Sequence, residues 1–539
     1  MRARARRLGV ALAAVFAVVL LGSAGARAAT ASATTAAHDA LLARRGVTLA
    51  VKRHWLAPDE AYRYRVDVTR AVTDISRLPT LRGGVIAVQL QQVTALWDSY
   101  TKPRALALFS QLAENLDYLE THIIPPERID VADADGVVYR WFPGKGLEFH
   151  PLAAFGALNA AALAQDSDRT AAISAALVAR GIPRDGRLIW EYSFNFGFGQ
   201  PPWASGMAQA VAAQALGRAA ALLNDPTLAL DAARAYAAVA PLTMQLSTGP
   251  WVRLYGFSRE VVLNAQLQAV LSLLQYASDS GDAAVAALAQ RLNRSAQAML
   301  SRFDTGDWSL YELGGADATT EYQLFVTQLL AKLAAETKDP FWVDASQRFH
   351  GYYYDPPAVT LGPAPPTIYP QPLDGFLDVA PISITLSQNA SVSLAVGGKV
   401  STFRLARGAH TVTWTPPADL PPGTYPAQVS ATNRAGRRTT VKLPPVVVAW
   451  DTAPPVVAAQ LQTGTLAWQA TDPGTPSLAL HVDFVDPAGV NPPQTVDFGS
   501  QPLAGSVLLT VPPGTWHATF VATNSAGLAG TVDLGIVTN

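Results

Sequence analysis

Residues 201–219 read PPWASGMAQAVAAQALGRA, and this stretch decides how the N-terminal part of the chain is read. Alanine has the strongest intrinsic preference for helix, so the run after Trp203 predicts a long helix that packs closely on its neighbours. Polar Ser205, Gly206 and Gln209 stand at the mouth of that apolar segment. A helix that only fills a core has little use for them there, so something is expected to approach the chain at this point.

The same pattern recurs between about residues 104 and 349. Asp225-Pro226 and Asp339-Pro340 each set a capping carboxylate before a proline at the first helical position. Ser258 precedes REVVLNAQLQAVLSLLQYA, Asp282 precedes AAVAALAQRLNRSAQAMLSRF, and Thr319 or Thr320 precedes EYQLFVTQLLAKLAAE. Long helices joined by short turns predict stacked αα-hairpins, an all-α (α/α) toroid or incomplete barrel over 104–355. Three aromatic inserts, IWEYSFNFGFG, GPWVRLYGF and GDWSLYEL, lie where one helix hands over to the next. Such connections are where rigid scaffolds carry their sites. Rings with polar tips also suit sugars, whose C–H faces pack on aromatic surfaces while their hydroxyls seek hydrogen bonds.

After a Pro-rich linker at 356–379, alternating short strands replace the helices. PPGTYPAQVSATNRAGRRTTVKL, from Pro421, matches PPGTWHATFVATNSAGLAGTVDL, from Pro512. Tyr425 corresponds to Trp516, Asn433 to Asn524 and Gly436 to Gly527. The interval is close to the length of one Ig-like sandwich, roughly 100 residues. Two all-β Ig-like modules are expected, at 380–449 and 452–539, with Asn-x-Ala-Gly as the turn between the last two strands of each.

Composition narrows the function classes. The 539 residues carry 40 Lys and Arg against 41 Asp and Glu, so there is no bulk pull on nucleic acid. The absence of cysteine excludes disulfides, thiolate metal sites and cysteine nucleophiles. The eight histidines are dispersed, and neither a metal nor a cofactor is expected. FDTG at Phe303 has no second copy to make an aspartic protease pair, and FGFGQ lacks the Gly-Lys-Ser/Thr of a phosphate loop. At the N-terminus a basic MRARARR, an apolar LGVALAAVFAVVLLG and the small-x-small Ala26-Arg27-Ala28 read as a signal peptide over 1–28. Its apolar run is shorter than the roughly 20 residues of a spanning helix. The mature chain is therefore expected outside the cell and without a membrane anchor. Residues 29–103, including YRYRVDVTR, carry mixed signals and receive no role.

From about Trp190 to Phe349 the helical part resembles the C-terminal catalytic domain of D-glucuronyl C5-epimerases. WASGMAQAVAAQALGRAAALLND is similar to that family's W-Y-S-A-M-A-Q-G-Q helix. WVRLYGFSREVVLNAQLQAVLSLLQY is similar to its W-Y-E-E-Y-P segment and the V-L-N-G helix that follows. FDTGDWSLYELGG resembles Y-D-T-G-S-G-T-x-Y-D-L-R-H, and EYQLFVTQLLAKL falls where the family has Y-H-T-T-H-I-N-Q-L. The pieces come in the family's order. The resemblance implies a uronic-acid-containing polysaccharide as substrate, heparan-type in the family, and leaves a homodimer as one state of assembly.

Inverting C5 removes a hydrogen beside the uronate carboxylate and returns it to the other face, which calls for a base, an acid and groups that neutralise the carboxylate. The resemblance assigns the acid and base to tyrosines, here Tyr255, Tyr311 and Tyr322, with Glu321 as the alternative to Tyr322 in the cleft. It implies sugar contacts from Trp203, Ser205, Gln209, Trp251 and Asn264, and carboxylate partners in Arg253 and Arg259. Packed core rings and solvated surface charges are the alternative for each. The departures are several: Y-D-L-R-H has become YELGG, the paired glutamates of E-E-Y-P are Arg253 and Leu254, and both histidines of Y-H-T-T-H are missing. Three readings stay open: an epimerase on a different uronate polymer, a lyase that expels the C4 oxygen after the same proton abstraction, and a binding protein without catalysis.

Overall fold

A computed structural model describes residues 33–539, so the signal-peptide segment 1–28 lies outside the described residues. The chain divides into two compact units, the first ending at Tyr353 and the second spanning Tyr354–Asn539.

The first unit is built from helical hairpins. Its helices are α1 (Ala33–Lys52), α2 (Pro58–Arg77), α3 (Thr80–Ala95), α4 (Lys102–Thr121), α5 (Pro151–Leu163) and α6 (Ser167–Arg180), followed by α7 (Gly206–Leu223), α8 (Pro226–Ala237), α9 (Leu263–Ser280), α10 (Ala283–Leu300), α11 (Thr320–Thr337) and α12 (Pro340–Tyr354). Helices α5, α7, α9 and α11 are successive neighbours, and α6, α8 and α10 pack as the partners of α5, α7 and α9. This is the layering of an α/α toroid. Residues 29–103 receive no role from the sequence, yet α1, α2 and α3 pack on one another and α2 and α3 pack on α4, so the helical layers begin well before residue 104. Tyr62, Val66, Val68 and Ala71 of α2 show why the segment reads as mixed: large apolar residues fall on its exposed as well as its buried side.

The alanine-rich reading of α7 explains its place. Ala208, Ala212, Ala215 and Ala219 are all buried, and a Cβ at Gly217 would stand 2.9 Å from the Tyr276 ring of α9. Small side chains therefore set how closely α7 approaches α9. The capping signals act as expected: Asp225 accepts from the N–H groups of Thr227 and Leu228, Asp282 from those of Ala284 and Val285, and Thr319 from that of Tyr322. Ser258 instead accepts from the N–H of Glu260, and lies five residues before α9 begins.

Three small antiparallel sheets interrupt the helices. The first is β1 (Asp130–Ala132), β2 (Val138–Phe142) and β3 (Gly146–Phe149), in sheet order β1-β2-β3; the others are the hairpins β4 (Ile182–Arg184) with β5 (Arg187–Ile189) and β6 (Thr243–Leu246) with β7 (Gly249–Val252).

The second unit holds two antiparallel sandwiches. The first pairs a sheet β11-β10-β13-β14 (Lys399–Leu405, Ala390–Val396, Gly423–Thr432, Arg438–Val448) with a sheet β12-β9-β8 (Gly408–Trp414, Ala380–Leu386, Val359–Leu361). The second pairs β15-β16-β19 (Val456–Gln462, Thr465–Thr471, Ala504–Leu508) with β18-β17-β20-β21 (Gln494–Pro502, Ser477–Val485, Thr515–Thr523, Ala529–Thr538). The repeat is visible in the turn after β13 and β20. Asn433 accepts from the N–H of Arg437 and Asn524 from that of Leu528, while Gly436 and Gly527 both sit at φ +77°, the left-handed region open to glycine. The stretch 356–379, expected as a linker, is part of the first sandwich. Val359–Leu361 pairs with β9, and buried Ile368 exchanges main-chain bonds with Val447 and Ala449. Its prolines interrupt the pattern that would have marked it as strand.

Candidate functional site

At the N-terminal ends of α5 and α7 an aromatic cleft opens, lined by Phe142, Tyr192, Phe194, Phe196, Trp203 and Tyr255 together with Arg128, His150, Ser205 and Leu254. The insert IWEYSFNFGFG supplies three of its rings. Tyr192 and Trp203 exchange main-chain hydrogen bonds and stack at 4.2 Å and 6°, and Trp203 Nε1 donates to the Phe194 carbonyl at 2.8 Å. This wall is fixed by its own backbone.

Tyr255 reaches the cleft because its loop is laced to the start of α7. Gly206 N–H donates to Arg253 O at 3.0 Å, and Gly256 N–H donates to Ala204 O at 2.8 Å. A Cβ at Gly206 would fall 2.8 Å from the Leu242 carbonyl oxygen, and one at Gly256 2.7 Å from that of Ala204. The polar mouth SGMAQ thus admits the protein's own chain. Ser205 caps α7 by accepting from Ala208 N–H and also faces the cleft.

Tyr311 arrives from a different turn. Leu310 N–H donates to Phe303 O, and Leu313 N–H donates to Val261 O beside the bridge Val262–Glu312. The hydroxyls of Tyr255 and Tyr311 then lie 3.2 Å apart. Beneath them Tyr322 is fully buried, its hydroxyl accepting from Asn264 N–H at 3.0 Å and donating to Tyr311 O at 3.1 Å. Tyr322 therefore pins three segments together, and its hydroxyl is occupied by main chain.

Electrostatics separate the two tyrosines of the pair. Burial, reinforced by the neighbouring Tyr311 and by Glu260, holds the Tyr255 hydroxyl well above the usual tyrosine value. Burial raises Tyr311 to about 12, against the downward pull of its bond to Tyr255 and of the Arg128 charge. Arg128 lies with its guanidinium carbon 5.3 Å from the Phe142 ring centre. His150, the cap of α5, accepts from Ala153 N–H through Nδ1. Burial and the charges of Arg140 and Arg128 keep it neutral, well below the usual histidine value, so that contact places its proton on Nε2.

Of the residues expected at the site, Trp203, Ser205 and Tyr255 line the cleft, and Tyr311 joins them through the Tyr255 hydroxyl. Trp251 is core, stacked at 5.8 Å on Phe303 with its Nε1 donating to Val262 O. Arg253 donates to the carbonyls of Gly256 and Pro241, both at 2.7 Å, so its guanidinium clamps the Tyr255 loop. Gln209 is buried and donates to Trp190 O, while Asn264 is buried at the start of α9. Arg259 and Glu321 are exposed and line no part of the cleft. Between the two neighbours left open at the start of α11, Tyr322 is the inward one and Glu321 the outward one. Arg128 and Phe142 were missed. Arg128 sits in a loop with no motif, and only the folded chain brings it to Tyr311.

The fold and its aromatic cleft define an α/α toroid with a tyrosine pair at one end. Residues 184–351 match the family described as D-glucuronyl C5-epimerase C-terminus. The match contains Ser205, Tyr255, Tyr311 and Tyr322 and leaves out Arg128, Phe142 and His150. No curated protein matches the chain. Similar solved structures include the endo-β-1,4-glucanase CMCax of Acetobacter xylinum, at 18% identity over 43% of this chain and 77% of that one, TM-score 0.27. The unsaturated glucuronyl hydrolase of Bacillus sp. GL1 is 11% identical over 60% of this chain and 84% of that one, TM-score 0.28. Fibronectin(III)-like modules of Clostridium thermocellum CbhA are 16% identical over 33% of this chain and 93% of theirs, TM-score 0.17.

Proposed function

We propose that this chain is an exported carbohydrate-active enzyme that moves the C5 proton of uronate residues in a polysaccharide. The observation that carries the reading is the Tyr255–Tyr311 hydroxyl pair, in which Tyr255 lines an aromatic cleft together with Arg128 and both tyrosines lie within the matched segment. Aromatic walls receive the C–H faces of a sugar ring. Its carboxylate is offered the Arg128 charge and the positive ends of α5 and α7, whose caps His150 and Ser205 face the cleft.

In the reaction the C5–H bond breaks, the proton goes to a phenolate oxygen, and the electron pair spreads into the carboxylate. Tyr311 is the less raised of the two hydroxyls, with the Arg128 charge drawing it down, so Tyr311 is the base and Tyr255 its hydrogen-bonding partner. Inversion then needs a proton on the opposite face of the ring, from Tyr255 after the sugar parts the pair or from His150 through Nε2. A second reading, β-elimination, is favoured by one feature: the two hydroxyls touch and so present themselves to a single face, which suffices for a lyase.

The experiment is incubation of the full chain with heparosan and other uronate polymers in heavy water, with C5 followed by NMR and the product by ultraviolet absorbance. Deuterium at C5 without absorbance supports the epimerase, and an unsaturated, absorbing product supports the lyase. If neither appears on any uronate polymer, the catalytic reading is overturned in favour of a binding protein.

A further inference from the structure

The helical unit holds a second cavity, of about 320 Å³, with its own lining. Its walls are the facing sides of α5, α7, α9 and α11, and the lining residues come in levels. Leu152 and Met207 stand at the level nearest the cleft end, one residue past the first residue of α5 and α7. At the far end Leu163, Arg218, Gln275 and Lys332 occupy equivalent positions, each equally far from the start of its own helix. One end of the groove is therefore aliphatic and the other is basic and rich in amides. From Met207 to Arg218 it runs about 16 Å along α7, at about 1.5 Å per residue.

The charges at the far end are unevenly satisfied. Arg218 donates to Gln275 Oε1 at 2.7 Å and to Asn159 Oδ1 at 3.2 Å, and lies 3.8 Å from an Asp279 carboxylate oxygen. Glu336, one turn beyond Lys332 on the same helix, accepts from Gln275 Nε2 at 2.7 Å. Among the described residues the ammonium of Lys332 makes no hydrogen bond or ion pair. Lys332 is exposed where it lines the groove, so its ammonium is open to a ligand that enters there. An exposed ammonium with no partner of its own, beside the Arg218 guanidinium at the same level of the groove, is placed to take an anion from outside.

We propose that this groove is a second glycan subsite, in which a carboxylate of an acidic saccharide segment bonds Lys332 while the side-chain amides of Asn159, Gln214 and Gln268 bond its hydroxyls. The inference rests on the uronate reading above. It adds that the protein grips its polymer at a point remote from the reacting sugar, so that long chains bind better than short ones through a carboxylate rather than through length alone.

The test measures binding of disaccharides and octasaccharides of heparosan, chondroitin and alginate to the full chain by calorimetry, together with carboxyl-reduced octasaccharides. The expected result is at least about tenfold tighter binding of an acidic octasaccharide than of its disaccharide. Lys332→Met removes most of that gain and Lys332→Arg keeps it; a charge-assisted hydrogen bond is of the strength needed for such a ratio. The carboxyl-reduced octasaccharide should bind the original chain and Lys332→Met alike. If acidic octasaccharides bind well and Lys332→Met binds them equally, the groove proposal is overturned while the uronate reading stands. If no acidic saccharide binds the unaltered chain, both are overturned. Thermal unfolding of the two variants, each altering a side chain at the rim of α11, separates lost binding from lost fold.

Discussion

The hydroxyl of Tyr255, on the loop before α9, meets that of Tyr311, on the turn before α11, at 3.2 Å, although each is carried by a different aromatic insert. Neither depends on the other for its position: Tyr255 is held through Ala204 and Gly206, Tyr311 through Val261 and Tyr322. Removing one hydroxyl should therefore leave the other in place. Tyr255→Phe and Tyr311→Phe are each expected to lower kcat by about 10²- to 10⁴-fold, the range for loss of a positioned proton-transfer group. Rates of C5 deuterium incorporation, alongside unfolding curves that stay close to those of the unaltered chain, check this.

Arg128 should set the pH dependence of that chemistry. Burial pushes the Tyr311 hydroxyl up to about 12, and the arginine charge draws it downward. If the phenolate is the base, kcat/KM rises with pH on the alkaline side. Arg128→Gln removes a charge that favours the anion, so the Tyr311 value goes up and the rising limb moves to higher pH. The rate at a fixed neutral pH falls by the same shift, together with weaker uronate binding. A profile that loses height without moving along the pH axis would leave Arg128 a role in binding alone.

Tyr322 supplies a contrasting case. Its hydroxyl has two main-chain partners and no exposed surface. Tyr322→Phe leaves the Asn264 N–H and the Tyr311 carbonyl without it, at a cost of about 1–3 kcal/mol for a buried group left unpaired. The variant should show a clear drop in denaturation midpoint, with a loss of activity smaller than that of Tyr311→Phe. A variant as stable as the original chain but as inactive as Tyr311→Phe would return Tyr322 to the catalytic set.

What could be seen in the sequence follows from how local the signal is. The caps at Asp225, Asp282 and Thr319, the helix after Trp203 and the paired Asn-x-Ala-Gly turns are short-range features, and all are present. The first sandwich was cut short because β8 owes its strand state to β9, a partner some twenty residues on. At the site, Tyr255 and Tyr311 could be found from ordered motifs. Arg253 lies beside Tyr255 in sequence, but its side chain turns back to Pro241 and Gly256, whereas Arg128 reaches the cleft from outside the matched segment. Residue type and adjacency could not distinguish a clamp from a charge facing the cleft, because that depends on which carbonyls the fold brings within reach.

Glu148 offers a prediction independent of the proposed activity. It is fully buried on β3, and its carboxyl oxygens accept from the amides of Gln89, Gln92 and Gln111 at 3.1, 2.6 and 2.8 Å. Burial outweighs those hydrogen bonds and raises the carboxyl from 4.5 to about 8. The folded chain thus keeps this proton up to about pH 8, while the unfolded chain releases it near the ordinary value. Between the two the folded state binds more protons, so stability falls as pH rises, by at most about 1.4 kcal/mol per pH unit, and levels off above pH 8. Glu148→Gln cannot ionise and should flatten that slope. Urea midpoints for the two chains, measured from pH 5 to pH 9, are expected to diverge as pH increases, with the variant the more stable at the alkaline end. Parallel curves over that range would mean that the amide cage holds Glu148 as a carboxylate throughout. In that case Gln89, Gln92 and Gln111 would be compensating a buried charge, and Gln111→Leu should then cost more stability at pH 9 than at pH 5.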